Sequence, residues 1–177
     1  MLKLSREQRF IFDEVLVMAW AASVQRANIY NKSEKISSTD SLSFRLTVLE
    51  FVDLCLLERY KSNISENLHI TNIEWLVTFG TKHGGSLLSP DGYKFGVAQK
   101  LLNLTLKYLW CLGHISEPPH CPVDRIVISK TSLRDKVNWT EILSADKYKD
   151  VIEAIRSTAN KKNMSIARWE LMHYGRR

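Results

Sequence analysis

Cysteine is scarce: Cys55, Cys111 and Cys121 are the only three in 177 residues, and no two of them form a Cys-x-x-Cys pair. An odd number at such spacing argues against a disulfide framework and suits a reducing compartment. Long apolar runs are missing as well. The richest stretch, Val15 to Val24, is bounded by Asp13, Glu14 and Arg26, short of the roughly 18 uncharged residues that mark a membrane-spanning helix. The first residues, Met1 to Gln8, lack the basic, apolar and small-residue order of a signal peptide. The expectation from these absences is a cytoplasmic protein without membrane contact. Internal repeats, low-complexity tracts and a clear linker are also lacking, so residues 1–177 read as a single domain.

What is present is a core and a charge imbalance. A hydrophobic fraction of 45% is ample for a packed interior. The net charge of +6 is unevenly placed: residues 1–90 carry ten Lys/Arg and ten Asp/Glu, whereas 91–177 carry fifteen against nine. A basic half attracts phosphate backbones over a long range, which makes nucleic acid the expected partner.

The hydrophobic spacing predicts an all-α fold. Ser5-Arg6-Glu7-Gln8 has the form of a capping box and opens a helix to about Asn28; a second helix runs from near Asp40 and ends before Asn63. Thr71-Asn72-Ile73-Glu74 has the same form and predicts a third helix, stopped by Gly84-Gly85. Ser86 to Gly92 is a loop by its turn residues, and Phe95 to Leu112 is the most apolar helix. Glu117-Pro118-Pro119-His120-Cys121-Pro122 predicts a stiff, extended connection, after which Pro122 can start a helix. Arg125 to Ser129 holds the competing strand signal Ile-Val-Ile. Two amphipathic helices, 147–161 and 165–174, close the chain.

The segment that carries chemistry is Phe95-Gly96-Val97-Ala98-Gln99-Lys100, continued through the apolar helix to Pro122-Val123-Asp124-Arg125. A lysine near a helix start, where the dipole and unpaired N–H groups oppose an added proton, tends toward the neutral, nucleophilic amine. Gly96 allows close approach of the backbone to a phosphate, and Gly96, Lys100, Asn103 and Lys107 share one helix face. The segment resembles the helix-hairpin-helix DNA glycosylases, nearest the 8-oxoguanine glycosylase/lyase branch, through Gly96, Val97 and Lys100 and then Pro122, Val123 and Asp124. The match covers about thirty residues, with Ala98 where the family turn has a second glycine and Ile126 where the closest branch has histidine.

The resemblance implies a helix-hairpin-helix glycosylase-like fold and excision of a modified base from duplex DNA, by a monomer and without cofactor or metal. Lys100 would be the Schiff-base nucleophile and Asp124 the carboxylate that assists it. DNA contacts are expected from Gly96, Val97, Asn103, Lys107 and Arg125, and base stacking from Trp139 and Trp169.

Two other classes compete. Arg168 and His173 spell Arg-x4-His, similar to the motif of small helical HEPN ribonucleases, although five helical positions put the two on different faces. A non-enzymatic nucleic-acid-binding module would use the Lys100 and Lys107 face for phosphate contacts alone. The series Cys111, His114, His120 and Cys121 has ligand types suited to zinc, but its spacing and its prolines argue against a tetrahedral site.

Overall fold

Four serines and one aspartate decide where helices begin. Ser5, Ser37, Ser65 and Ser144 each accept a main-chain N–H from the first turn of the helix that follows, satisfying a donor the helix itself cannot. They open α1 (Arg6–Val24), α2 (Ser38–Phe51), α3 (Glu66–Gly84) and α6 (Ala145–Asn160). Asp124 does the same for the short α5 (Arg125–Ile128), and α4 (Phe95–Cys111) and α7 (Ile166–His173) complete the set. The computed structural model describes residues 4–33 and 35–173, and over them the fold is all-α, with no strand and one isolated antiparallel bridge, Tyr30 to Leu88.

The helix ends are set by backbone conformation. Gly85 and Gly113 adopt φ of 48° and 77°, the left-handed region that glycine enters without strain. At Gly113 the N–H donates to Trp110 O and the N–H of His114 to Leu109 O, a Schellman close to α4. Arg26 and Asn28 also take left-handed conformations, φ 65° and 47°, so α1 stops at Val24 rather than near Asn28. This turn swings Arg26 toward the start of α5.

Three further boundaries differ from the sequence pattern. The third helix starts at Glu66, capped by Ser65, and Thr71 lies inside it. Pro122 lies three residues before the first residue of α5 and is not in its first turn, because Asp124 takes the capping position. The β-branched Ile126-Val127-Ile128 is helical, since Asp124 Oδ1 holds the N–H groups of Ile126 and Val127 at 2.9 and 3.0 Å. The expected close of the last helix at Tyr174, with Gly175-Arg176-Arg177, lies outside the described residues.

α4 is the central strut. It packs chiefly on α1 and also on α3 and α6, and Val97, Ala98, Leu101, Leu102, Leu106 and Leu109 are fully buried along it. No helix among the described residues is long and apolar enough to cross a membrane.

Candidate active site

α4 carries Lys100 on its sixth residue, in the second helical turn. The helix dipole therefore acts on it less than a first-turn position would imply. The proline connection returns the chain across the face of α4, and Asp124 lands with Oδ2 3.7 Å from Lys100 Nζ. Its other oxygen caps α5, which fixes the carboxylate while leaving Oδ2 toward the lysine. Both side chains are largely enclosed, 12% exposed for Lys100 and 16% for Asp124.

Around them lies a cleft of about 330 Å³, large enough for a small planar group. Its wall is drawn from elements distant in the chain: Arg26 after α1, Tyr108 on α4, Arg125 on α5, Trp139, and Glu170 on α7. Lys100 Nζ sits over the Trp139 ring, 4.3 Å from its centroid. Burial is the main influence on the amine and lowers its pKa; Asp124 opposes that shift and the nearby Arg26 adds to it. The net direction is toward the neutral amine, although the indole face favours the cation.

Glu170 is a cleft carboxylate that the sequence reading missed. It is 3% exposed and paired with Lys107, whose Nζ lies 2.9 Å from Oε1 and 2.7 Å from Oε2. Burial still raises its pKa, with Lys107 opposing and Asp124 adding to the rise. The only sequence signal for it was its place between Arg168 and His173, and nothing there marks it as facing inward toward Lys107.

Four of the residues expected to contact DNA lie buried or paired within the protein. Gly96 is packed against the segment after α5: its N–H donates to Ile142 O at 2.8 Å, and an added Cβ would stand 2.0 Å from Trp139 O. The donor meant for a phosphate is thus already used. Val97 is core, and Asn103 is fully buried, donating from Nδ2 to Gln99 Oε1 and to the Tyr148 hydroxyl. Lys107 is engaged with Glu170. The helix face that the spacing identified as polar is real but points into the protein.

Arg125 stands exposed on the rim and lines both the Lys100 cleft and an adjoining hollow of about 410 Å³. That hollow also contains Arg26, Lys136 and Asn138, and it shares Trp139 with the cleft. Trp139 is a wall, 6% exposed and covered on one face by Lys100, rather than an open stacking platform. Trp169 is buried and stacked on His173, with centroids 5.4 Å apart, which removes it as a base-stacking residue.

Arg168 is turned away from His173 and held by Glu117, Nε to Oε2 at 2.7 Å, while His173 Nδ1 is bonded to Trp169 O. No composite Arg-His site forms. Cys111 is exposed and Cys121 buried, and among the described residues no group of three His, Cys, Asp or Glu side chains is placed to hold a metal ion.

No protein-family model matches the chain, and no curated protein and no solved structure proved similar to it.

Proposed function

We propose that this protein is a DNA N-glycosylase with lyase activity, acting on a modified base in duplex DNA through Lys100 and Asp124. The observation that carries the reading is the enclosed lysine-carboxylate pair at 3.7 Å, built from residues 24 apart in sequence and placed at a cleft. A buried amine biased toward its neutral form, beside a carboxylate whose Oδ2 faces it while Oδ1 caps a helix, is the pairing needed for Schiff-base chemistry.

In this reading a nucleotide leaves the helical stack and its sugar meets Lys100. The Lys100 nitrogen forms a bond to C1′ as the bond from C1′ to the base breaks, and the base departs with a proton. Asp124 stabilises the positive charge that develops on the sugar, accepts the proton lost by the nitrogen and passes it to the departing base. Sugar-ring opening, in which O4′ leaves C1′ and takes a proton from water, gives the Schiff base, and loss of a C2′ proton to Asp124 then expels the 3′-phosphate as the C3′–O bond breaks. The DNA backbone is held on the rim by Arg26, Arg125 and Lys136, which position without reading sequence.

The test is incubation with duplexes carrying modified bases, in the presence of borohydride, which reduces a Schiff base to a stable amine. A covalent protein-DNA adduct is expected, and Lys100→Gln removes it while circular dichroism stays unchanged. No adduct with any modified base, or equal trapping by Lys100→Gln, rejects the assignment.

A further inference from the structure

Residues 115–122 make no main-chain-to-main-chain hydrogen bond among the described residues, yet this connection delivers Asp124 to Lys100. One buried amide anchors its end. Gln99, the neighbour of Lys100 on α4, is fully buried and makes four hydrogen bonds. Nε2 donates to Val123 O at 2.7 Å and to Gly96 O at 2.9 Å. Oε1 accepts from Val123 N–H at 3.1 Å and from Asn103 Nδ2 at 3.2 Å. The two carbonyls at one end demand the NH2 group there, so the orientation of the amide is determined by its partners.

Gln99 therefore grips both main-chain groups of Val123, as an adjacent strand would, although the described residues form no strand. Asp124 is the next residue along the chain, and Lys100 the next along the helix. Asn103 supports the grip from behind, since its Nδ2 is also bonded to the Tyr148 hydroxyl at 3.0 Å, which in turn meets His120 Nδ1 at 3.0 Å. We propose that Gln99 is a positioning residue that holds Asp124 in register with Lys100. Its catalytic meaning rests on the glycosylase reading; the register itself does not.

The experiment measures the coupling of Lys100 to Asp124 without DNA. Reductive methylation of the full chain with formaldehyde and cyanoborohydride, followed by peptide mass spectrometry, gives the rate of Lys100 modification against pH. Asp124, Arg26 and the Trp139 ring act on the amine directly, and Tyr108, Arg125 and Glu170 complete the titratable and charged groups around its cleft. Removing the charge in Asp124→Asn is expected to move the midpoint to lower pH. Gln99→Met, which keeps the bulk and loses every hydrogen bond, is expected to move it the same way. The double variant should add nothing beyond Asp124→Asn.

A folded Gln99→Met with the parental midpoint, additive shifts in the double variant, or no shift in Asp124→Asn would each overturn the role. Amide exchange in the unmodified protein supplies a check that needs no variant. Val123 N–H should be strongly protected, and exchange as fast as at exposed Ser116 rejects the grip. Failure of DNA trapping with the coupling intact rejects the enzyme and keeps the positioning role, so the two outcomes are separable.

Discussion

Gly96 has no side chain because the main chain of Trp139 occupies the place where one would go. An alanine there would put Cβ 2.0 Å from a carbonyl oxygen that belongs to the backbone, and no rotamer change relieves that. Gly96→Ala is expected to cost at least about 1–3 kcal/mol, the usual range for overpacking, and to displace Trp139 from beneath Lys100. Urea unfolding measures the first effect and tryptophan fluorescence the second; a variant with parental values for both contradicts the packing. Lys107 also acts inward. Lys107→Met leaves the buried Glu170 carboxylate without this cation, a change that typically costs about 3–5 kcal/mol. Because a protonated carboxyl needs no cation, the loss should be greatest near pH 8 and shrink as the pH falls into the carboxyl range, a trend that stability curves at several pH values will test. Lys100 and Asp124 were legible in sequence because a short motif carried both. Arg26 and Glu170 were not, since each reaches the cleft from an element that becomes its neighbour only after folding.

At the scale of elements, helix existence was legible and helix starts were less so. The apolar spacing of 95–112 left little choice for α4, whereas Thr71-Asn72-Ile73-Glu74 has the form of a capping box and lies within α3. Ser65, which has no Glu or Gln three residues on, makes the cap alone by accepting from Leu68 N–H. Ser65→Ala should therefore destabilise by about 1 kcal/mol, while exposed Thr71→Ala should change stability by less than about half of that. Equal losses in urea titrations of the two variants would contradict the boundary. The apolar spacing after Asp40 predicts one helix, but the continuation of α2 passes through a π-helical turn, Val52–Leu56, and then a 3-10 turn, Leu57–Tyr60. Nothing in a 3.6-residue periodicity announces such an insertion. Its accompaniment in the structure is Asp53, buried within that turn and bonded to Arg9 NH2 at 2.6 Å, an interaction between residues 44 apart.

At the scale of the whole molecule, the charge asymmetry and the polar interior have separate consequences. Arg125 and Lys136 on the rim come from the basic half of the chain and Arg26 from the other, so composition by halves located the surface only in part. If the rim holds phosphates, affinity for duplex DNA falls linearly on a log-log plot against salt, with a slope reduced by about one for each of Arg26→Gln and Arg125→Gln. Slopes equal to the parent's would remove these residues from the interface. The interior brings a further dependence, on pH. His69 and His120 meet edge to face in the core, centroids 4.8 Å apart, with His69 bonded to the Tyr60 hydroxyl and His120 to that of Tyr148. Burial is the leading cause that holds His69 well below its usual pKa, with His120 adding to the shift, and burial with nearby Arg156 takes His120 down to about 3. The 3.5 Å approach of His120 Nε2 to Glu66 is accordingly a contact of a neutral ring, not an ion pair. Below about pH 6.5 the unfolded chain takes up protons that the folded chain refuses, so stability falls as the pH drops. From pH 7 to 5 the loss from His120 is about 2 kcal/mol, His69 acts in the same direction, and Glu170, whose raised pKa acts in the opposite sense, offsets part of it. His120→Gln should be less stable than the parent at pH 7 and lose less between pH 7 and 5, because one refused proton has been removed. Urea midpoints at the two pH values decide the matter: a decline as steep in the variant as in the parent would show that His120 is not held neutral by the fold.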